Sequence, residues 1–395
     1  MQPLRDLLSR SWVLCAGFAL FAAITCLTGM PAQRVWGYWA LAAYVVGAIG
    51  LVLLPRAKWV WVSVVTAGAL FAPLAHLALN WQGQNEIWLV QHAAERLVGA
   101  QPVYPTDNAT LADMNGYFPY LPAMALLGLP AWVARTLDLP RVMTDVRWTF
   151  AVVYLILAAF TIKGLGGDRS RAWLWFVASP VAAMPLAVGG DDLPVIGLLL
   201  LALTFSHRHW SAAAGAVAGW ACAAKLTAWP VALALAVMTL VARGGGRARS
   251  FGMAWLAVTA AFIAPILAME QRGLYLHEFA FPAGFAPVRS PAASPFPGHV
   301  LSENVAAGRW VALGLLGACA VGLLVWLIVR PPGDEGAVAW YSAAALAAAT
   351  LLLPASRAGY IVYPIMLVLF AIHTRIGERL PESGGRPCSP RVTTR

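Results

Sequence analysis

The sequence predicts an all-α polytopic membrane protein, and three observations carry that prediction. Residues of the AVILMFWYC set make up 60% of the 395. Charged residues make up only 11%, less than half of the roughly 25% usual in soluble domains. Apolar runs close to the length of about 20 residues that a helix needs to cross a bilayer recur along almost the whole chain, separated by short polar loops. This composition excludes an ordinary soluble enzyme. No stretch is polar enough to form a domain outside the lipid, so residues 1–375 read as one transmembrane domain and 376–395 as a basic cytoplasmic tail without a fixed fold.

Apolar segments begin near Trp12, Trp36 and Trp59. Further ones follow at Phe118 to Val133, Trp148 to Ile162, Ala172 to Val188, Leu193 to Phe205, Ser211 to Ala224 and Ala228 to Ala242. The last are Phe251 to Met269, Trp310 to Val329, Val338 to Leu353 and Tyr360 to Ile372. That makes about thirteen segments. If all of them cross, the basic stretches Lys163 to Arg171 and Arg243 to Arg249 fall outside, against the preference of Lys and Arg for the cytoplasmic side. Phe118 to Val133, broken by Pro119, Pro122 and Pro130, is therefore read as re-entrant or interfacial. About twelve transmembrane helices then remain. The N-terminal run, preceded by Arg5 and Arg10, reads as a retained signal anchor. The Leu193 to Phe205 and Ser211 to Ala224 runs are too short to span alone, as helices that line a cavity can be.

With that orientation residues 80–117 form an outer loop, and Ile87, Val90, Ala94, Leu97 and Val98 recur in it at helical spacing. This is an amphipathic helix lying on the outer surface. Glu86 stands at its start, where a partly desolvated carboxylate becomes a general base. The plain alternative is a solvated acid favoured by the helix dipole. Asp191 and Asp192 precede Leu193-Pro194 and read as a helix cap, as acceptors for sugar hydroxyls or, as a lesser alternative, as a metal seat. Lys225, between two apolar helices, is a site candidate by default, with snorkelling to the interface as the alternative. Arg357 lies in a short outer loop, and a phosphate ligand would account for both cations. The stretch 271–308, with Ser290-Pro291 to His299, has a Pro and Gly density that predicts an ordered loop without helix, closing over a site.

Several of these stretches occur together in a known order. Glu86 follows an early transmembrane segment. The surface helix ends at Gly99 to Tyr104, and Tyr117-Phe118-Pro119-Tyr120-Leu121-Pro122 comes next. Then come Ser179-Pro180, Gly189-Gly190-Asp191-Asp192-Leu193-Pro194, Ala223-Ala224-Lys225 with Trp229-Pro230, and Pro354 to Pro364. In this the chain resembles glycosyltransferase family 87, C-type membrane enzymes that include actinobacterial polyprenyl-phosphate-mannose-dependent mannosyltransferases. The resemblance runs from about Trp59 to Ile372. It departs where Glu86 stands in place of the family's Asp and where two apolar segments precede the family's first helix.

The resemblance implies a C-type (GT-C-like) helical bundle and an inverting transfer of a sugar, mannose above all, from a polyprenyl-phosphate donor to a lipid or glycan hydroxyl. The transfer would take place on the outer face of a bacterial plasma membrane. Glu86 would be the base, and Lys225, Arg357 and His299 would hold the donor phosphate. Asp191, Asp192, Tyr120 and Tyr360 would contact substrate. The expected partners are the polyprenyl-phosphate donor, a glycolipid or glycan acceptor and membrane lipids, with no nucleic acid. No cofactor and no resident metal are expected. Transport of a lipid or small solute, or an inactive relative serving as an assembly partner, are the alternatives at this stage.

Overall fold

A computed structural model describes residues 10–377. Arg5 and the tail beyond Gly377 lie outside the described residues. The described chain is a bundle of helices, and its one β feature is an isolated parallel bridge between Ala293 and Ser356. Eight described helices are long and apolar enough to cross a membrane, and the bent pair Arg169–Phe176 and Pro180–Val188 makes up to nine. Ser11–Thr25, Asp192–His207 and Ser211–Ala224 have 15, 16 and 14 residues. At 1.5 Å per residue these reach only about 21–24 Å of a hydrocarbon layer of about 30 Å. The twelve expected passes thus resolve into full spans, one bent pair and three short helices. The segment expected not to cross is a 3₁₀ helix, Pro122–Gly128, followed by the eight-residue helix Leu129–Thr136.

The bent pair breaks where proline dictates. Pro180 opens its helix and holds Ser179 extended at φ −67°, ψ 153°, because a residue before proline avoids the helical region. The two halves of the bent pair therefore meet at 49°. The carbonyls freed at this kink are taken up by buried tyrosines from neighbouring helices. Tyr44 Oη donates to the Ala178 carbonyl at 2.6 Å, and Tyr154 Oη donates to that of Phe176. A second break, with no proline directly after it, interrupts the chain at Lys225, which is extended at φ −155°, ψ 141° between Ser211–Ala224 and Trp229–Arg243.

One close helix pair in the bundle is set by glycine. Ser211–Ala224 packs along Gly245–Met269, and a Cβ on Gly215 would collide with the Phe251 carbonyl oxygen. A Cβ on Gly219 would lie 2.7 Å from that of Trp255. Small residues four apart let two helix backbones approach in this way. Gly215→Val is expected to lower stability by about 1–3 kcal/mol through overpacking against backbone that cannot move aside. Thermal unfolding in detergent checks it, and an unchanged melting temperature would mean that the two backbones do not meet there.

The stretch 271–308 departs from the expected helix-free loop. It contains Gln271–Leu274, the π-helical turn Tyr275–Ala280 and Pro297–Asn304. The reason is local: its prolines begin at Pro282, leaving 271–280 free to coil, and Pro297 sits in the first turn of its helix, where a missing N–H costs nothing.

Candidate functional site

Glu86 is the first residue of the helix Glu86–Val98, as its place in the sequence predicts, but it is not solvated: it is 5% exposed. Its Oε1 pairs with Arg357 Nη1. Its other oxygen, Oε2, is buried without a hydrogen-bond partner. The loop before it is fastened to the end of the Pro180–Val188 helix by the Gln84 N–H, which donates to the Val188 carbonyl at 2.9 Å. The chain turns there through Gly189 at φ 104°. A side chain at Gly189 would be strained at that φ and would also run into Ile87.

That turn delivers Asp191 and Asp192 to Lys225. The Lys225 ammonium donates to Asp191 Oδ1 at 2.9 Å and to Asp192 Oδ1 at 2.5 Å. Asp191 is the cap residue of Asp192–His207 by position, but its side chain makes no cap bond. Its charge is committed to Lys225 instead, which sets aside the helix-cap reading of Asp191. Lys225 is 5% exposed, so it does not snorkel. The Lys225 Nζ also lies 4.8 Å from the Tyr120 ring centroid and 5.8 Å from that of Tyr360, within cation–π reach. Tyr360 in turn lies within electrostatic reach of Arg357 as well as of both aspartates, which joins the two ion-pair groups. Tyr120 is held by its neighbours: the Leu121 N–H donates to the Ala224 carbonyl at 3.0 Å, and Tyr104 Oη donates to the Tyr120 carbonyl at 2.8 Å.

Seven of the eight expected site residues therefore converge. His299 stands apart. Its Nδ1 is 2.9 Å from the Pro354 carbonyl oxygen, three residues before Arg357. In the same loop the Ser294 N–H donates to the Ser356 carbonyl at 3.1 Å, and the two hydroxyls are 2.6 Å apart. His299 thus supports the segment that carries Arg357, and the structure shows no contact between it and Lys225.

Three further groups serve this site and were not singled out in the sequence. Arg147 is 1% exposed and grips Asp145 with Nε to Oδ1 at 2.9 Å and Nη2 to Oδ2 at 2.6 Å. Its Nη1 donates to the carbonyls of Gln82 at 2.7 Å and Ala187 at 3.2 Å, pinning the loop before Glu86 to the turn before Asp191. His277 is fully buried; its Nδ1 accepts the Phe118 N–H, so Nε2 carries the proton donated to the Pro105 carbonyl. Burial pushes its pKa down to about 4, which keeps the ring neutral for both bonds.

Glu278 is the third. It is 6% exposed, Oε2 has no partner, and it lies within electrostatic reach of Lys225 and Asp191. Burial pushes it up to about 8. Its position in a π-helical turn fits the tendency of such turns to mark functional sites, but nothing in the sequence displays that turn.

The raised Glu278 gives a pH dependence. Between its ordinary value of 4.5 and about 8 the folded protein keeps a proton that the unfolded chain releases. Stability should therefore decline as the pH climbs through that window, and the loss is complete above it. Glu278→Gln, which cannot ionise, is expected to flatten this decline in melting temperature. Parallel curves for the parent and the variant would show that Glu278 does not hold the proton.

No family model matches the sequence, and no curated protein matches it. Among solved structures, the crystal structure of ArnT from Cupriavidus metallidurans in the apo state is similar at 19% identity with a TM-score of 0.48. The match covers 76% of this chain and 56% of that one, so this chain spans little more than half the length of that protein.

Proposed function

We propose that this is a membrane glycosyltransferase of the C-type architecture. It takes a sugar, mannose above all, from a polyprenyl-phosphate donor and places it with inversion on an acceptor hydroxyl at the outer face of a bacterial plasma membrane. The observation that carries the reading is the pairing of the buried Glu86 with the half-buried Arg357 beside the cluster of Lys225, Asp191, Asp192, Tyr120 and Tyr360. Burying the Glu86 and Lys225 charges is costly, which marks a functional site where they are not fully compensated, and here both cations keep donors to spare. The ammonium has three N–H groups and the guanidinium five, more than their carboxylate partners take up.

In this reading the donor phosphate bonds to Arg357 and to the remaining Lys225 proton. Drawing Arg357 toward phosphate weakens its hold on Glu86, and a carboxylate that loses a cationic partner becomes a stronger base. Glu86 then accepts the proton of the acceptor hydroxyl as its oxygen bonds to the anomeric carbon. The bond from that carbon to the phosphate oxygen breaks, and the lipid phosphate departs with the electron pair, its charge met by the same two cations. Asp191 and Asp192 keep Lys225 charged and aimed, and their other oxygens accept sugar hydroxyls. Glu278, protonated at neutral pH, is a hydrogen-bond donor to the same sugar.

Incubation of the purified protein with polyprenyl-phosphate mannose and membrane lipid extract tests the reading. A product heavier than an acceptor by one hexose, absent without protein, is expected. Net movement of a lipid or solute across liposomes with no glycosidic product would favour a transporter instead.

A further inference from the structure

A second feature lies at the other end of the Ser211–Ala224 helix from Lys225, about 21 Å away along its axis. It is an open surface depression of about 450 Å³ lined by His209, Trp210, Ser211, Arg247 and Ser250 among others. We propose that it binds a phosphate group, and that this site is separate from the one at Lys225 and independent of the reaction assigned there.

The argument begins with the turn that ends Asp192–His207. His209 adopts φ 62°, the Trp210 N–H donates to the Phe205 carbonyl, and the His209 N–H donates to that of Ser206, both at 2.8 Å. This is a Schellman closure, completed by the Phe205 and Trp210 rings with centroids 5.4 Å apart. It launches the next helix at once, from Ser211. The Gly245–Met269 helix starts as abruptly, after the single residue Gly244 at φ 84°. Neither start has a side-chain cap bond, and neither has an acid in its first turn.

The glycine contacts make these two helices neighbours in parallel. Gly215 meets Phe251 and Gly219 meets Trp255, a constant offset of 36 residues that places Ser211 beside Arg247. Two helices of 14 and 25 residues therefore point their positive ends and their unpaired first-turn N–H groups the same way, side by side. Parallel dipoles in contact repel, and an anion at their shared N-terminal end relieves that repulsion while accepting the N–H groups.

Independent of the dipoles, the Ser211 hydroxyl is buried with no partner, in a residue 8% exposed that lines the depression. A group that donates and lacks an acceptor asks for one from a ligand. Arg247, which also lines it, is exposed and forms no ion pair among the described residues. The buried carboxylate of Glu335 is already taken by Arg243, Ser206 and His207. A hydroxyl, a guanidinium and two helix starts, with no acid among them, suit a phosphate monoester, carried either by an anionic lipid headgroup or by a soluble ester.

The test uses the full-length protein purified in detergent and stripped of lipid. Thermal stabilisation is titrated with inorganic phosphate, with dioctanoyl phosphatidate and with dioctanoyl phosphatidylcholine. Saturable stabilisation by one or both of the first two is expected. Arg247→Ala should weaken it about tenfold or more, the loss of one charge-assisted contact. Ser211→Ala should weaken it less. Arg249→Ala, which removes equal charge from the same helix outside the depression, should leave it within about twofold. Response to phosphatidate alone identifies a lipid headgroup, and an equal response to inorganic phosphate identifies a soluble ester. No saturable response to either, or equal losses from Arg247→Ala and Arg249→Ala, would overturn the site without touching the assignment of Glu86.

Discussion

Glu86→Gln is expected to lower turnover by roughly 10²–10⁴-fold while donor binding survives. The substitution keeps the shape and the hydrogen-bonding reach of the side chain but removes its capacity to take a proton. Because Glu86 pairs with Arg357, its neutralisation also frees the guanidinium, so the Michaelis constant for a phosphate-bearing donor should hold or fall. A structural acid would give the opposite pattern, with turnover intact and stability reduced. Glu86→Asp should keep measurable activity, about 10²-fold down, since withdrawing the carboxylate by one methylene displaces it by about 1 Å. Steady-state rates with purified protein separate these outcomes, and parent-like turnover in Glu86→Gln would remove it as the base.

The largest loss of stability is expected from Arg147→Ala, a residue outside the reacting groups. Truncation strands the Asp145 carboxylate, 8% exposed, and leaves the Gln82 and Ala187 carbonyls without their donor. Removing one partner of a buried pair costs about 3–5 kcal/mol. Because the same guanidinium ties the loop before Glu86 to the turn before Asp191, activity should fall as well, by about 10²-fold for a displacement near 1 Å. Arg147→Lys keeps the charge but cannot fork, and should recover only part of either loss. A melting temperature and a rate that both match the parent would show that this pin does not hold the site.

Much of the site was legible because charge is conspicuous in so apolar a sequence. Lys225, Asp191 and Asp192 interrupt long apolar runs, and Arg357 sits where orientation gives no reason for a cation; the structure joins the first three in one ion-pair group and pairs the fourth with Glu86. What the sequence concealed was of two kinds. Arg147 stands at a helix boundary, where a cation looks like an orientation signal, and only the folded chain shows it reaching Gln82 and Ala187, 65 and 40 residues away. Glu278 and His277 lie in a stretch whose later prolines suggested a loop throughout, and the π-helical turn that buries both carries no pattern of its own. His299 misled in the reverse direction. A histidine in a Pro-rich loop suggests a ligand, yet its ring is engaged by the Pro354 carbonyl. The helical bundle followed from apolar length alone, whereas the kink at Ser179 depends on Pro180 and on the tyrosines that take up the freed carbonyls.

The most direct measurement is a structure of the protein with a polyprenyl-phosphate sugar bound. The expected result has the phosphate on Arg357 and Lys225, the anomeric carbon facing Glu86, and the Glu86–Arg357 pair opened. A donor phosphate seated away from both cations, or a sugar beyond the reach of Glu86, would contradict the proposed reaction.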